Sequence, residues 1–390
     1  MFGTQERVYL DYNASAPIFP EVAEAVARAL ALANPSSVHA EGRAARAAVE
    51  RARHQVAELV GADQECVVFT SGGSEAANAL LRGITDGHAA PIRLAVAEIE
   101  HPCVLTGHRF GPDAVATLPV DADGIVDLAA LEQVLVAADR NGERVLLALQ
   151  LANNETGVLQ PVREASDLVH AHGGLVMCDC VQAAGKLAVS LPLLGADALF
   201  LSGHKIGAPK GIGAIAFAST AIRLGEALVN GGGQERGQRS GTENVAGIIG
   251  FGVAAEIVRA RLPEMERVRA LRDRFEAAVI EMAPEAAIFG AGVARLPNTS
   301  AVALPGLRAE TALIAFDLDG VALSSGSACS SGKVRPSGVL RAMGVPEALA
   351  AGALRISLGW QTRDDDIETA LRVFSHRVRI ARKRMQNRAA

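Results

Sequence analysis

Lysine is scarce in this chain. Lys186, Lys205, Lys210, Lys333 and Lys383 are the whole supply in 390 residues, although Lys and Arg together number 38. Arginine does not give up its proton, so chemistry that needs a neutral amine has few candidates here. An excess of one charge sign is also missing. The net charge is -5 and basic residues are spread along the chain, which gives no electrostatic case for a nucleic-acid partner. No apolar run approaches the about 20 residues of a membrane-crossing helix, so no membrane association is expected. Met1–Leu10 has charges but no apolar core, and no secretion signal is read there. The cysteines, Cys66, Cys103, Cys178, Cys180 and Cys329, do not make an even set for disulfides, which suits a reducing, cytoplasmic setting. Cys178-Asp179-Cys180 is too tight for a zinc pair. Its two thiols are expected to face opposite ways along a strand, as small core residues.

What is present is globular: 49% hydrophobic and 21% charged residues, in a chain longer than one ordinary core. Short β-rich runs at 66–69, 93–97, 145–151, 175–178, 198–201 and 214–217 alternate with alanine-rich helical segments such as 75–82 and 162–172. The expected fold class is α/β, a mostly parallel doubly wound sheet whose ligands sit beyond the carboxyl ends of the strands. The polar groups Ser71–Ser74, Glu100-His101, Asn153–Glu155, Asp179 and Ser202–Lys205 fall at those ends. A glycine-rich polar loop, 231–241, precedes one long helical stretch, about 245–282, expected to lead into a second domain. The division expected is a large domain, 16–260, and a smaller α+β domain, 1–15 with 261–390, holding a strand at 354–358. The basic end, 377–390, is expected to fray and carries no assigned function.

Ser324-Ser325-Gly326-Ser327-Ala328-Cys329-Ser330-Ser331-Gly332 surrounds one cysteine with residues that have nothing apolar to bury beyond a methyl group. It reads as an exposed, mobile loop in which a thiol can reach, react and withdraw; the alternative is a linker that happens to hold a cysteine. Lys205 follows a buried strand beside His204 and small residues, where desolvation lowers an amine's pKa and makes it a nucleophile towards a carbonyl. A surface lysine at a strand end remains the alternative, and Lys210 between Pro209 and Gly211 reads as an exposed turn. Asp179 ends an apolar strand and calls for a cationic partner such as a protonated pyridine, unless it caps a following helix. Phe69–Glu75 reads as strand, glycine turn and helix, suited to a phosphate but common in α/β proteins. His101 could stack on a flat ring or stand in solvent.

Together these stretches resemble the cysteine desulfurases, in the class V aminotransferase-like, fold-type I group of pyridoxal phosphate enzymes. The matching motifs are Tyr9–Ala14, Asn34–Ser37, TSGGSEAAN from Thr70, EHP from Glu100, NNETG from Asn153 and DCVQAAGK from Asp179. SGHKIGAPKG from Ser202, GGGQERGQRSGTEN from Gly231, SSGSACSSG from Ser324 and LRISLG from Leu354 complete the set. The last loop is similar to that of the long-loop subgroup serving iron–sulfur cluster assembly, including its nitrogenase-associated type. The resemblance implies pyridoxal 5'-phosphate held covalently by Lys205, with Asp179 on the pyridine nitrogen, Gln182 and Asn154 on the ring oxygen, and His101 on the ring face. Gly73, Ser74, Ser202 and His204 would hold the phosphate, joined by Thr242 from the other subunit of a homodimer. Arg355, with Asn34 and Asn154 nearby, would bind the carboxylate of L-cysteine. Cys329 would take the sulfur as a persulfide, pass it to an iron–sulfur scaffold or other acceptor, and transiently ligate a cluster shared with that scaffold. Lys333 could hold a partner or favour the thiolate; a solvated loop lysine is the alternative. Ser74 stands where threonine is common, Cys180 where alanine is usual, and Gly338 where the family usually shows histidine. A selenocysteine lyase, an aminotransferase and a non-catalytic cofactor-binding scaffold are the competing readings; an aminotransferase has no use for Cys329.

Overall fold

The computed structural model describes residues 7–326 and 337–389, and of 384–389 the backbone alone. The strands are β1 (Val8–Tyr9), β2 (Val67–Thr70), β3 (Ile84–Thr85), β4 (Arg93–Ala97), β5 (Val115–Leu118), β6 (Val145–Gln150) and β7 (Leu175–Asp179). They continue as β8 (Ala198–Ser202), β9 (Gly213–Phe217), β10 (Arg223–Leu224), β11 (Ala287–Ile288), β12 (Thr299–Ala303), β13 (Val321–Ala322) and β14 (Leu354–Ser357). Seven form the main sheet in the order β2-β9-β8-β7-β6-β4-β5. β9 runs against both its neighbours, and the other pairings are parallel. This is the mostly parallel α/β sheet the sequence predicts.

β6, β7, β8 and β9 are buried along their whole length, which is why they read as continuous apolar runs rather than alternating ones. Alternate residues nevertheless pack into different layers. Met177, Ala198 and Phe200 lie in the cluster with the helix Gly73–Leu81. Val176, Cys178, Leu199 and Leu201 lie in the larger cluster, with the helices Ala40–Val60 and Val245–Ala260.

That layering corrects the expectation for the two strand cysteines. Cys178 and Cys180 point the same way, with sulfurs 3.6 Å apart. The pleat repeats every two residues, so it is the intervening Asp179 that faces the opposite layer. The stretch 245–282 is likewise two helices, Val245–Ala260 and Met265–Met282, separated by a tight turn at Leu262–Glu264. Pro263 cannot supply the N–H that a continuous helix requires. The basic C-terminal segment continues the helix Asp364–Ala389, and its arginines find acids on neighbouring elements: Arg377 pairs with Asp319, and Arg382 meets Glu285 at 2.8 Å.

The N-terminal strand joins the C-terminal part of the chain. β1 pairs in parallel with β13, Asp11 bridges to Ser357, and β12 is flanked by β11 and β14. This carries Asp11–Ser15 over the carboxyl ends of the main sheet. Among the described residues, no helix is long and apolar enough to cross a membrane.

Candidate active site

A cleft of about 680 Å³ opens where β2, β4, β6, β7 and β8 end. Lys205 enters it from the tight turn Gly203–Lys205 after β8. That turn needs glycine: a Cβ on Gly203 would stand 2.7 Å from Ile212 Cγ2. Lys205 Nζ donates to the carbonyls of Asn13 at 2.6 Å and Ala14 at 3.0 Å. Burial, reinforced by the charge of Arg355, lowers its pKa to about 8. Lys210 lines the cleft from an exposed turn.

Asp179 is buried at the end of β7, and burial raises its pKa to about 6 against the attraction of Lys205. Its Oδ1 accepts from Val181 N at 2.8 Å, but a non-helical turn follows, so it caps no helix. Glu100, buried beside it, accepts from Gln150 N at 2.8 Å through Oε1 while Oε2 has no partner among the described residues. Burial first, then Asp179, pushes the Glu100 carboxyl well above its usual range. His101 caps the short helix Pro102–Leu105 by accepting from Cys103 N at 3.2 Å through Nδ1, with the Cys103 sulfur 3.0 Å away. Burial and the nearby Lys205 keep the ring neutral, which leaves Nε2 to carry its proton. Burial also pushes the Cys103 thiol up to about 12.

The opposite wall is built for an anion. Gly73 and Ser74 open the helix Gly73–Leu81, whose first-turn N–H groups lack intrahelical partners. A Cβ on Gly73 would crowd Val181 Cγ2 at 3.1 Å and Ser202 Cβ at 3.3 Å, so glycine permits the close approach of helix and strand end. Ser202 and His204 line the same wall. Burial, then Lys205 and Lys210, lower the His204 pKa to about 4, so its ring is neutral.

Arg355 reaches the cleft from β14. Its guanidinium is buried, donating to Asn154 O at 3.1 Å and Asp11 Oδ1 at 2.8 Å, while Nε has no partner among the described residues. Asn154 and Gln182 line the cleft. Asn34 and Thr242 do not. Asn34 is exposed and accepts from Ser36 N at 2.8 Å, and Thr242 is exposed on an adjoining recess of about 220 Å³. Thr242 follows a strongly anchored loop. Arg239 pairs with Glu75 at 3.0 Å, and Glu235 makes a buried two-pronged pair with Arg53 at 2.6 and 2.9 Å. Cys329 and Lys333 lie outside the described residues. The flanks of their segment meet at Glu155: Ser337 donates to it at 2.5 Å, and a Cβ on Gly326 would stand 2.3 Å from its Oε2.

The sequence places Glu100 and Glu155 at strand ends without a role, and gives no sign of the parts played by Asn13, Lys186 and Cys103. Asn13 is fully buried and touches Lys205, Gln182, Lys186, Asn154, Asn298 and Thr299. The available signals were an asparagine near Asp11 in the Tyr9–Ala14 motif and a lysine directly after Gly185. The residues present fit pyridoxal phosphate. A desolvated amine can meet its aldehyde, a buried carboxylate in need of a cation its ring nitrogen, and a helix N-terminus its phosphate.

The family model for class-V aminotransferases matches residues 8–370. A cysteine desulfurase of Cereibacter sphaeroides is 39% identical over 95% of this chain and 95% of its own. One from Gluconacetobacter diazotrophicus is 40% identical over 94% and 92%. Among solved structures, a NifS-like protein from Rickettsia africae superposes with a TM-score of 0.85 at 31% identity, covering 95% of this chain and 99% of its own.

Proposed function

Because the chain belongs to the class-V aminotransferase family, we propose that it is a pyridoxal phosphate-dependent cysteine desulfurase, converting L-cysteine to L-alanine and carrying the sulfur as a persulfide on Cys329. The observation that carries this reading is the desolvated Lys205 amine in one cleft with the buried Asp179 carboxylate, in a chain that also has the SSGSACSSG run.

Lys205 would hold the cofactor and Asp179 its ring nitrogen; Gln182 and Asn154 would bind the ring oxygen, and His101 would cover the ring face. Gly73, Ser74, Ser202 and His204 would hold the phosphate. The bound cofactor supplies the electron sink that lets the Cα–H and Cβ–S bonds of the substrate break. Lys205, whose pKa of about 8 lies far closer to physiological pH than that of an ordinary lysine, is suited to move the proton at the substrate Cα. Arg355 would receive the substrate carboxylate in place of Asp11, with Asn154 beside it; Asn34, exposed in its own subunit, would complete the site only once the dimer forms. The Cys329 thiolate would attack the substrate sulfur. A new S–S bond forms, the Cβ–S bond breaks with its electron pair left on carbon, and protonation of that carbon gives alanine.

The molecule would work as a homodimer, Thr242 of each subunit completing the phosphate site of the other. The sulfur would go to an iron–sulfur scaffold or another acceptor protein in the reducing cytoplasm, with Cys329 briefly ligating the cluster under assembly. Mass analysis of the Cys329 peptide after exposure to L-cysteine, without reductant, tests the sulfur-carrying role. One added sulfur atom on Cys329 is expected; unmodified Cys329 during continuing turnover would overturn it.

A further inference from the structure

Lys186 is buried to within 6% of full enclosure, yet among the described residues no carboxylate pairs with it. Its Nζ donates to Gln182 Oε1 at 2.7 Å and to Asn13 Oδ1 at 2.9 Å. Gly185 places it there. That residue has φ +74, and a Cβ on it would press on Val258 at 3.0 Å and Ile206 at 3.2 Å, so only glycine turns the chain back at this point. Desolvation drives the Lys186 pKa well below the usual lysine value. A neutral amine has two N–H groups, and two acceptors are present.

Both N–H groups of Lys186 go to amide oxygens, so Gln182 and Asn13 each present the oxygen end of the amide to it. Gln182 must therefore turn Nε2 away from Lys186, and it does: Nε2 donates to the Asn13 carbonyl at 3.0 Å, the same oxygen that receives Lys205 Nζ at 2.6 Å. Nε2 has a second N–H, and Gln182 lines the cleft. Asn13 is oriented in the same way. Its Oδ1 accepts from Lys186 and from Asn298 at 3.1 Å, so its Nδ2 donates to Thr299 Oγ1 at 2.9 Å and Asn154 O at 3.3 Å.

We propose that Lys186 is a positioning residue which fixes the amide of Gln182 so that it offers an N–H, and not its oxygen, to the cofactor's ring oxygen. This rests on the role given to Gln182 above. A donor on that oxygen withdraws charge from it and loosens the proton the oxygen shares with the Lys205 nitrogen. Loss of the donor should therefore raise the pH at which the bound cofactor's visible absorption changes.

The test is a double-mutant cycle on the loaded protein with Lys186→Met, Gln182→Leu and the pair, read by the midpoint of that absorption titration and by cofactor affinity. Lys186→Met and Gln182→Leu are each expected to raise the midpoint and weaken cofactor binding about ten-fold. The double variant should match Gln182→Leu alone. An unmoved midpoint in Lys186→Met, or effects that add in the double variant, would overturn the proposal while leaving the role of Gln182 standing. An unmoved midpoint in Gln182→Leu would overturn both. Lys186→Gln, which keeps an N–H donor, enters the same cycle should Lys186→Met not fold.

Discussion

At the scale of the residue, the chemistry turns on what burial does to a few groups. Lys205 has its pKa lowered from 10.5 to about 8 because the folded cleft disfavours its charge. The folded state of the cofactor-free protein therefore carries this penalty fully below about pH 8, and is relieved of it as pH rises from about 8 towards 10.5. The neutral amine is the reactive form. The rate at which the cofactor-free protein takes up pyridoxal phosphate should thus climb with pH, through a midpoint near 8, and then level; a midpoint near that of a free lysine would contradict the desolvation argument. Stopped-flow absorbance measures it. Lys205, Asp179 and His101 could be read from the sequence because each stands at or just beyond a recognisable strand end. The network of Asn13 and Lys186 could not, because its members are remote: 173 positions separate Asn13 from Lys186 and 285 separate Asn13 from Asn298. Periodicity reports which face is apolar, not which buried polar groups will satisfy one another. The orientation of Cys178 and Cys180 was legible in principle, since the pleat alone puts them on one face.

At the scale of the element, the sheet was legible because its strands are short apolar runs that end at polar residues, whereas the helical stretch 245–282 hid a break at Pro263. The glycine-rich loop shows how an irregular element is held. Glu235 and Arg236 take φ of 48° and 56°, left-handed values that cost non-glycine residues of order 1 kcal/mol or more each. Against that strain, Glu235 receives Arg53 twice and Phe69 N at 2.9 Å, all in the interior. Arg53→Met leaves the Glu235 carboxylate buried without its cation and should cost about 3–5 kcal/mol in urea unfolding. The loop leads to Thr242, so the same variant should also hold its cofactor less tightly. A loss under about 1 kcal/mol with unchanged cofactor retention would show that the pair does not anchor the loop.

At the scale of the whole molecule, two residues proposed to serve the site, Asn34 and Thr242, are exposed outside the lining of the cleft. If Thr242 serves the neighbouring subunit, a mixed dimer of Lys205→Ala and Thr242→Ala chains contains one doubly defective site and one intact site. Mixing the two variants under conditions of subunit exchange should give more activity than either parent; activity no greater than the parents' average would place Thr242 outside the shared site. Sulfur transfer through Cys329 is decided by the alanine and sulfide released from L-cysteine, with pyridoxal phosphate and a reductant, by the unaltered chain and by Cys329→Ala. Equal amounts of alanine and sulfide from the former, and neither from the latter while its cofactor absorbance persists, are the predicted result. Undiminished turnover by Cys329→Ala would contradict the account.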